Sequence, residues 1–259
     1  MKPNCFKQML SQGKMPVGHM LIEFSNRGMA QILETAGVDF AVIDMEHGSF
    51  TIGDVADMAA WLKATPVAPF VRIPQVQYHF VARALDAGVL GIVAPNVQNS
   101  AEARALVDAA KYPPLGKRGF CFGGANSDYR FGDPKEYTQY SNENTAVICM
   151  IESPQGVDNV EEIAATPGVD GLWVGHWDLS QYMGIMGQFH DERFIYAVKR
   201  VVDTAKKHKI PAIIQPGNMT QLQQFMEIGF NVFSWNGDFY VYKDALTQAI
   251  ADVRKVTGG

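Results

Sequence analysis

The sequence predicts an α/β protein, a single (β/α)8 barrel of the TIM type spanning residues 1–259, on three observations. Four strand-like apolar runs, AVIDMEHGSF (41–50), PFVRIP (69–74), VICMIES (147–153) and GLWVGHWDLS (171–180), end at a charged or metal-binding side chain. Runs that apolar are buried on both faces and read as parallel strands covered by helices. A helix–glycine–strand phrase also recurs, as TAGVDFAVID, DAGVLGIVAP, TPGVDGLWVG and EIGFNVFSWN, with Gly37, Gly88, Gly168 and Gly229 where helices stop in a left-handed cap. Finally, eight strand–helix pairs alternate along the chain, which favours a closed barrel over an open doubly wound sheet. No Gly-rich dinucleotide fingerprint follows the first strand.

Taken in order, the first strand falls near 17–23, and a helix at 27–36 ends at Gly37. The run at 40–44 is the second strand, followed by a helix at 52–64. Pro69 and Pro74 bracket the third strand at 69–72, and the helix at 76–87 stops at Gly88. Strand 90–94 and helix 100–110 make the fourth pair; strand 146–151 and helix 156–165 make the fifth. Strands near 171–175, 211–215 and 231–235, with helices at 191–208, 219–228 and 239–256, complete the eight. The segment 113–143 breaks this rhythm, being dense in Gly, Pro, Asn and Asp with aromatics interleaved. A connection that long inside a compact domain is usually functional, so it reads as a subunit contact or pocket wall, against a plain surface excursion.

Composition narrows the function classes. A chain of 259 residues with 47% hydrophobic and 19% charged residues has material for one sizeable core. The net charge of −5 gives no electrostatic reason to expect nucleic acid, and no basic helix suggests a membrane surface. Cys5, Cys121 and Cys149 are too few and too scattered for a disulfide framework or zinc cluster. With no apolar stretch of signal-peptide or membrane-spanning length, the expected location is cytoplasmic.

Chemistry in such barrels gathers at the carboxyl ends of the strands. Glu152 and Asp178 end the fifth and sixth strands, and two hard oxygen ligands there suit a divalent cation that keeps positions open for substrate. The alternative is a pair of solvated caps, Asp178 capping the turn at Leu179 and Ser180. Arg72 presents a fork of donors suited to a carboxylate or a developing enolate, and it can also pair with Asp44 on the adjacent strand. His47, beside Asp44 and Glu46, is the candidate general base. Asp86 sits late in a helix where its charge opposes the dipole, so the position asks for a specific reason. His176 reads as a third metal ligand, a substrate contact or a packing residue. No predicted strand carries a lysine, which excludes a Schiff-base aldolase and leaves carbonyl activation by a metal.

IDMEHG (43–48), VRIP (71–74), LDAG (85–88), YPPLGKRG (112–119), IES (151–153) and VGHWDLS (174–180) are together specific. Through them the chain resembles the HpcH/HpaI aldolase family, the metal-dependent class II pyruvate aldolases related to 4-hydroxy-2-oxoheptanedioate aldolase, over nearly its whole length. The resemblance implies an aldolase that cleaves or forms 4-hydroxy-2-oxo acids through a pyruvate enolate, with an aldehyde as the other product. It implies that His47 is the base, that Asp86 raises its basicity, that Asp44 is the acid beside the histidine and that Arg72 stabilises the enolate. Glu152 and Asp178 would bind Mg²⁺, Mn²⁺ or Co²⁺, and backbone amides of Gly175, His176, Trp177 and Asp178 would hold the substrate carboxylate. A homo-hexamer, a trimer of dimers exchanging C-terminal helices, would have the segment 239–256 swapped.

Three departures alter the substrate rim. The usual Gly-Pro-Ala-Asp-Leu-Ser reads Gly-His-Trp-Asp-Leu-Ser, a substrate-touching glutamine is Met150, and a first-strand tryptophan is Met20. The rival readings are an acyl-CoA lyase of the malyl- or citramalyl-CoA type and a non-catalytic barrel that binds a carboxylic acid. The former needs a basic groove, and in the long segment after the fourth helix Lys117 and Arg118 stand together.

Overall fold

The computed structural model describes residues 1–258 and closes eight parallel strands into a barrel in chain order. The strands are β1 (Val17–Leu21), β2 (Phe40–Asp44), β3 (Ala68–Arg72), β4 (Gly91–Ala94), β5 (Ala146–Ile151), β6 (Gly171–Val174), β7 (Ala212–Ile214) and β8 (Val232–Gly237). Each sits within a few residues of its predicted place. The helices are α1 (Cys5–Ser11), α2 (Arg27–Thr35), α3 (Ile52–Lys63), α4 (Tyr78–Asp86), α5 (Ser100–Ala110), α6 (Pro134–Asn144), α7 (Pro154–Asp158), α8 (Val160–Ala164), α9 (His176–Tyr182), α10 (Glu192–His208), α11 (Met219–Ile228) and α12 (Asp238–Thr257).

Most of the expected helices begin on the residue type that local chemistry asks for. Asn26, Thr51, Asn99, Asp191 and Asn218 each turn a side-chain oxygen back to accept an N–H of the first turn. Gly37, Gly88 and Gly229 take positive φ angles of 79°, 101° and 113° at the ends of their helices, as the repeated cap predicts, while Gly168, at 100°, lies three residues past the Ala165 cap of α8. Three helices, α1, α6 and α9, were not expected. The polar composition of 134–144 hides α6, although Asp133 caps it and Pro134 opens it. The helix expected at 156–165 is two short ones, because Asn159 leaves helical geometry between them and donates its amide to the Gln98 carbonyl.

The barrel has two apolar compartments, separated by the two-residue period of its strands. Outward residues such as Ala41, Ile43, Val71, Ile92, Val147, Cys149, Leu172 and Ile214 pack against the helices. Inward residues, among them Met20, Phe40, Val42, Phe70, Ile148, Met150, Trp173 and Ile213, fill the interior. Continuing the same alternation to the strand ends puts Asp44, Arg72 and Glu152 on the inward side, above that apolar filling.

The opposite end of the barrel is stoppered by α1. Phe6 is fully buried and meets Phe40 and Phe70 edge-on, each with centroids 5.1 Å away. Room for these rings comes from glycine on the neighbouring strands. A Cβ on Gly18 would lie 2.3 Å from the Phe40 ring, and one on Gly91 would lie 2.6 Å from Phe70. Lys111 closes the same region: its buried Nζ donates to the Asn142 and Thr145 carbonyls and to Asp170, and burial lowers its pKa to about 8.

Helix α12 stands apart. Its start is anchored by the buried Asp238, whose Oδ2 accepts from the backbone N–H groups of Ile22, Glu23 and Phe24 at 3.1, 3.0 and 2.8 Å. Beyond that anchor Leu246, Ile250 and Val253 are exposed. Among the described residues no helix is long and apolar enough to cross a membrane.

The glycine–phenylalanine fit gives a direct test of this packing. Gly18→Ala should destabilise the protein by about 1–3 kcal/mol through overpacking, measured by urea unfolding, and Phe40→Leu in the same chain should recover part of the loss.

Candidate active site

Asp44 and Arg72 are the last residues of adjacent strands and are paired in register across the β2–β3 ladder. Arg72 donates from Nε to Asp44 Oδ1 at 2.8 Å and from Nη2 to Oδ2 at 2.5 Å. This two-point fork holds the guanidinium plane fixed over the barrel mouth. Burial works against the Arg72 charge, but the hydrogen bonds and charge of Asp44, then the charges of Glu46 and Glu152, keep its pKa above the ordinary arginine value. Asp44 is fully buried, and its Oδ1 also accepts from the Glu46 backbone N–H at 3.0 Å. Its side chain is therefore spent on holding Arg72 and shaping the 45–48 turn, with no face toward a substrate.

That turn carries Glu46 and His47 out over the mouth. Glu46 Oε2 lies 3.1 Å from Arg72 Nη1 and 3.8 Å from His47 Nε2. The His47 side chain is 62% exposed, placing the ring at the solvent-facing edge of the cluster. Burial pushes the Glu46 carboxyl pKa up, against the pull of Arg72 and His47 and with the push of Asp44 and Asp178.

Glu152 follows β5, and Asp178 lies in the first turn of α9, directly after β6. Glu152 is buried; its Oε1 accepts from the Asn96 backbone N–H at 2.6 Å. Its Oε2 occupies the space where a side chain on Gly175 would begin, since a Cβ there would sit 2.1 Å away. Burial first, and then the negative charges of Glu46 and Asp178, push the Glu152 pKa up to about 7. A buried acid surrounded by like charges is an arrangement that a divalent cation relieves. Among the described residues no three His, Cys, Asp or Glu side chains form a ready-made metal cage. Glu152 and Asp178 are the residues that could hold such an ion, and two hard carboxylate oxygens suit Mg²⁺ or Mn²⁺.

The remaining predicted residues divide. Met150 is buried on the inward face of β5 and floors the mouth with an apolar side chain. His176 faces away into an aromatic nest, 4.9 Å from the Phe189 centroid and 5.7 Å from Phe225. Burial lowers its pKa to about 4, so the ring is neutral, and of the three readings of this side chain it is the packing one that the surroundings match. Trp177 is half exposed and packs edge-on against Phe189 at 5.0 Å. Asp86 does not join the cluster within one chain. It ends α4, which runs back from the mouth toward the stoppered end, and its Oδ1 accepts from Arg118 Nη2 at 2.5 Å. Within the single chain the Asp86 carboxylate is thus paired with Arg118 at the far end of α4.

Sequence reasoning also missed Asn96. This residue follows β4, takes a positive φ of 48° and aims its N–H at Glu152. The Pro-Asn pair at 95–96 was the available signal, since asparagine tolerates the left-handed region.

The chain is similar to known proteins along nearly its whole length. The HpcH/HpaI aldolase/citrate lyase family profile matches residues 19–242. The 5-keto-4-deoxy-D-glucarate aldolase of Shigella sonnei is 33% identical over 253 residues, 98% of this chain and 97% of that protein. The crystal structure of an HpcH/HpaI aldolase from Desulfitobacterium hafniense superposes with a TM-score of 0.91 at 29% identity, covering 96% of each chain. That of an HpcH/HpaI aldolase/citrate lyase family protein from Burkholderia cenocepacia gives 0.88 at 34% identity, covering 97% of this chain and 99% of the other. A buried Asp–Arg fork, an exposed histidine and two carboxylates at the carboxyl ends of a barrel accompany sequence likeness along the whole length, and the chain belongs to the HpcH/HpaI aldolase/citrate lyase family.

Proposed function

We propose that this protein is a divalent-metal-dependent aldolase that cleaves and forms 4-hydroxy-2-oxo acids, giving pyruvate or a related 2-oxo acid and an aldehyde. The observation that carries the reading is the convergence of the Asp44–Arg72 fork and His47 with Glu152 and Asp178 on one rim. Glu152 and Asp178 would hold a divalent cation, which would supply Lewis-acid chemistry at the 2-oxo group. In the cleavage direction His47 accepts the proton of the C4 hydroxyl, and the C3–C4 bonding electrons pass to C3 to give the enolate and the aldehyde. Arg72, kept charged by Asp44, donates hydrogen bonds to the enolate oxygen. Return of the proton to C3 gives the 2-oxo acid and frees His47 for the next cycle.

The residues of the rim bear on the substrate. Backbone N–H groups of residues 176–178, at the start of α9, would hold the substrate carboxylate, while that of Gly175 donates to the Ile151 carbonyl. Met150 offers the substrate apolar surface and no hydrogen bond. The curated relative acts on a keto-deoxy sugar acid by its name, and a polyhydroxylated 2-oxo acid is the first class to assay here. An acyl-CoA thioester is the rival substrate, but Lys117 pairs with Asp108 and Arg118 with Asp86, so this basic pair is already engaged. The uncovered apolar residues of α12 support a homo-oligomer in which that helix is exchanged, and any contact of Asp86 with His47 would come from a second copy. The composition and the reduced cysteines suit a cytoplasmic setting.

Three measurements test this. His47→Ala should slow exchange of pyruvate methyl protons, followed by NMR in D2O, by about a hundredfold or more, while calorimetry finds metal affinity near that of the parent; unchanged exchange removes His47 from the base role. Metal affinity should fall as pH drops below about 7, because a proton then competes for Glu152, by about tenfold per pH unit at most. Glu152→Gln should bind Mn²⁺ far more weakly and lose that pH dependence. A lactate-dehydrogenase-coupled assay should register pyruvate from 4-hydroxy-2-oxo acids only when metal is present; pyruvate release that survives chelation refutes the metal-dependent reading.

A further inference from the structure

The turn that carries His47 is braced from a side of the barrel that the reaction leaves unused. The ring itself is mostly exposed, so the backbone of the 45–48 turn sets where it stands. From beneath, Asp44 Oδ1 accepts from the Glu46 N–H. On the flank, Gly48 is pressed between two backbone carbonyls: a Cβ built on it would lie 2.3 Å from the Asp44 oxygen and 2.8 Å from that of Ile22. An approach that close leaves room for glycine alone. Ile22 belongs to the segment 22–24, directly after β1, and this segment is held in turn by the buried Asp238. Asp238 Oδ2 accepts the consecutive N–H groups of Ile22, Glu23 and Phe24 at 3.1, 3.0 and 2.8 Å, and its Oδ1 accepts that of Phe239 at 2.8 Å. Phe24 also meets the Tyr242 ring edge-on at 5.7 Å, a second tie between the segment and α12.

We propose that Asp238 is a positioning residue for His47: by gathering the 22–24 amides it seats the Ile22 carbonyl against Gly48 and so fixes the turn that holds the base over the mouth. The inference rests on the reading of His47 as base. Asp238 stands at the junction of β8 and α12 and acts through backbone alone. Hydrogen bonds from amides to a carboxylate are roughly twice as strong as those between neutral groups. A buried N–H that loses such an acceptor is costly to leave unpaired, so without the carboxylate the segment shifts and the Ile22 carbonyl shifts with it. The residues read as metal ligands lie elsewhere, Glu152 after β5 and Asp178 after β6, whereas Asp238, Ile22 and Gly48 follow β8, β1 and β2. A displaced base turn therefore slows proton transfer and leaves the cation held. Misplacement by about 1 Å is enough to cost about a hundredfold in rate. Because the same carboxylate begins α12, the placement of that helix and of the base turn are linked.

The test compares Asp238→Asn, Gly48→Ala and His47→Ala, with each of the first two also combined with His47→Ala. Every variant is titrated with Mn²⁺ by calorimetry, and exchange of pyruvate methyl protons in D2O is then followed by NMR against pyruvate concentration. Asp238→Asn should bind metal as the parent does, keep KM within about twofold and lower kcat for exchange by about tenfold or more. Gly48→Ala, which disturbs the other end of the brace, should do the same. On the His47→Ala background neither should lower exchange further, because a residue that acts through another has nothing to act on once that one is gone. A general structural loss would instead multiply on both backgrounds. Parental kcat in Asp238→Asn would overturn the proposal, and so would a further loss on top of His47→Ala or a fall in metal affinity. If Asp238→Asn does not fold, Gly48→Ala carries the same comparison, and parental kcat there overturns the brace. Parental exchange in His47→Ala brings down the base reading itself, a result separable from the behaviour of Asp238→Asn.

Discussion

The Asp44–Arg72 fork is the interaction on which the rest of the site depends. It joins two neighbouring strands at their last paired residues, so its geometry is inherited from the barrel ladder. A flexible loop could not hold it with the same precision. Breaking a buried ion pair by removing one partner typically costs about 3–5 kcal/mol, because the other charge is left stranded. The fork therefore fixes Arg72 and the start of the turn that carries Glu46 and His47. One buried carboxylate thus orients a guanidinium, shapes a turn and places a histidine.

Around that fork the charges are set in opposition. Glu46, Glu152 and Asp178 crowd one side of the mouth, and burial alone already disfavours ionisation of Glu46 and Glu152. Such a site is strained electrostatically, and a divalent cation would relieve that strain. Gly175 makes the arrangement possible, because any side chain there would collide with Glu152. Specific hydrogen bonds from Asn96 and the strand ends then keep the crowded carboxylates in place.

The rim follows a different logic. His176 and Trp177 precede Asp178 in the chain, yet they build an aromatic nest with Phe189 and Phe225 on the outer side of α9. The nest stiffens the turn that presents Asp178. Met150 and Met20 give the interior below the mouth an apolar surface. The reacting groups and the groups that shape the substrate space are thus separable, so one can vary while the other is kept.

How much of the fold and of the site is legible in the sequence follows from the kind of signal each feature leaves. Continuous apolar runs, glycine caps and alternation of helix and strand are local, and they placed all eight strands and most helices. Period two along a strand is equally local, and it put Asp44, Arg72 and Glu152 on one side of the barrel. Helices α1, α6 and α9 escaped because they are short or polar and their stability comes from what they pack against. The orientation of His176, the pairing of Asp86 with Arg118 and the reach of Glu46 toward both Arg72 and His47 depend on residues far apart in sequence or on side-chain rotamers. The sequence by itself determined the barrel and the strand-end residues, because backbone periodicity needs no partner. Only the tertiary structure decided which side chains meet, because that depends on closure of the barrel and on which face each helix buries.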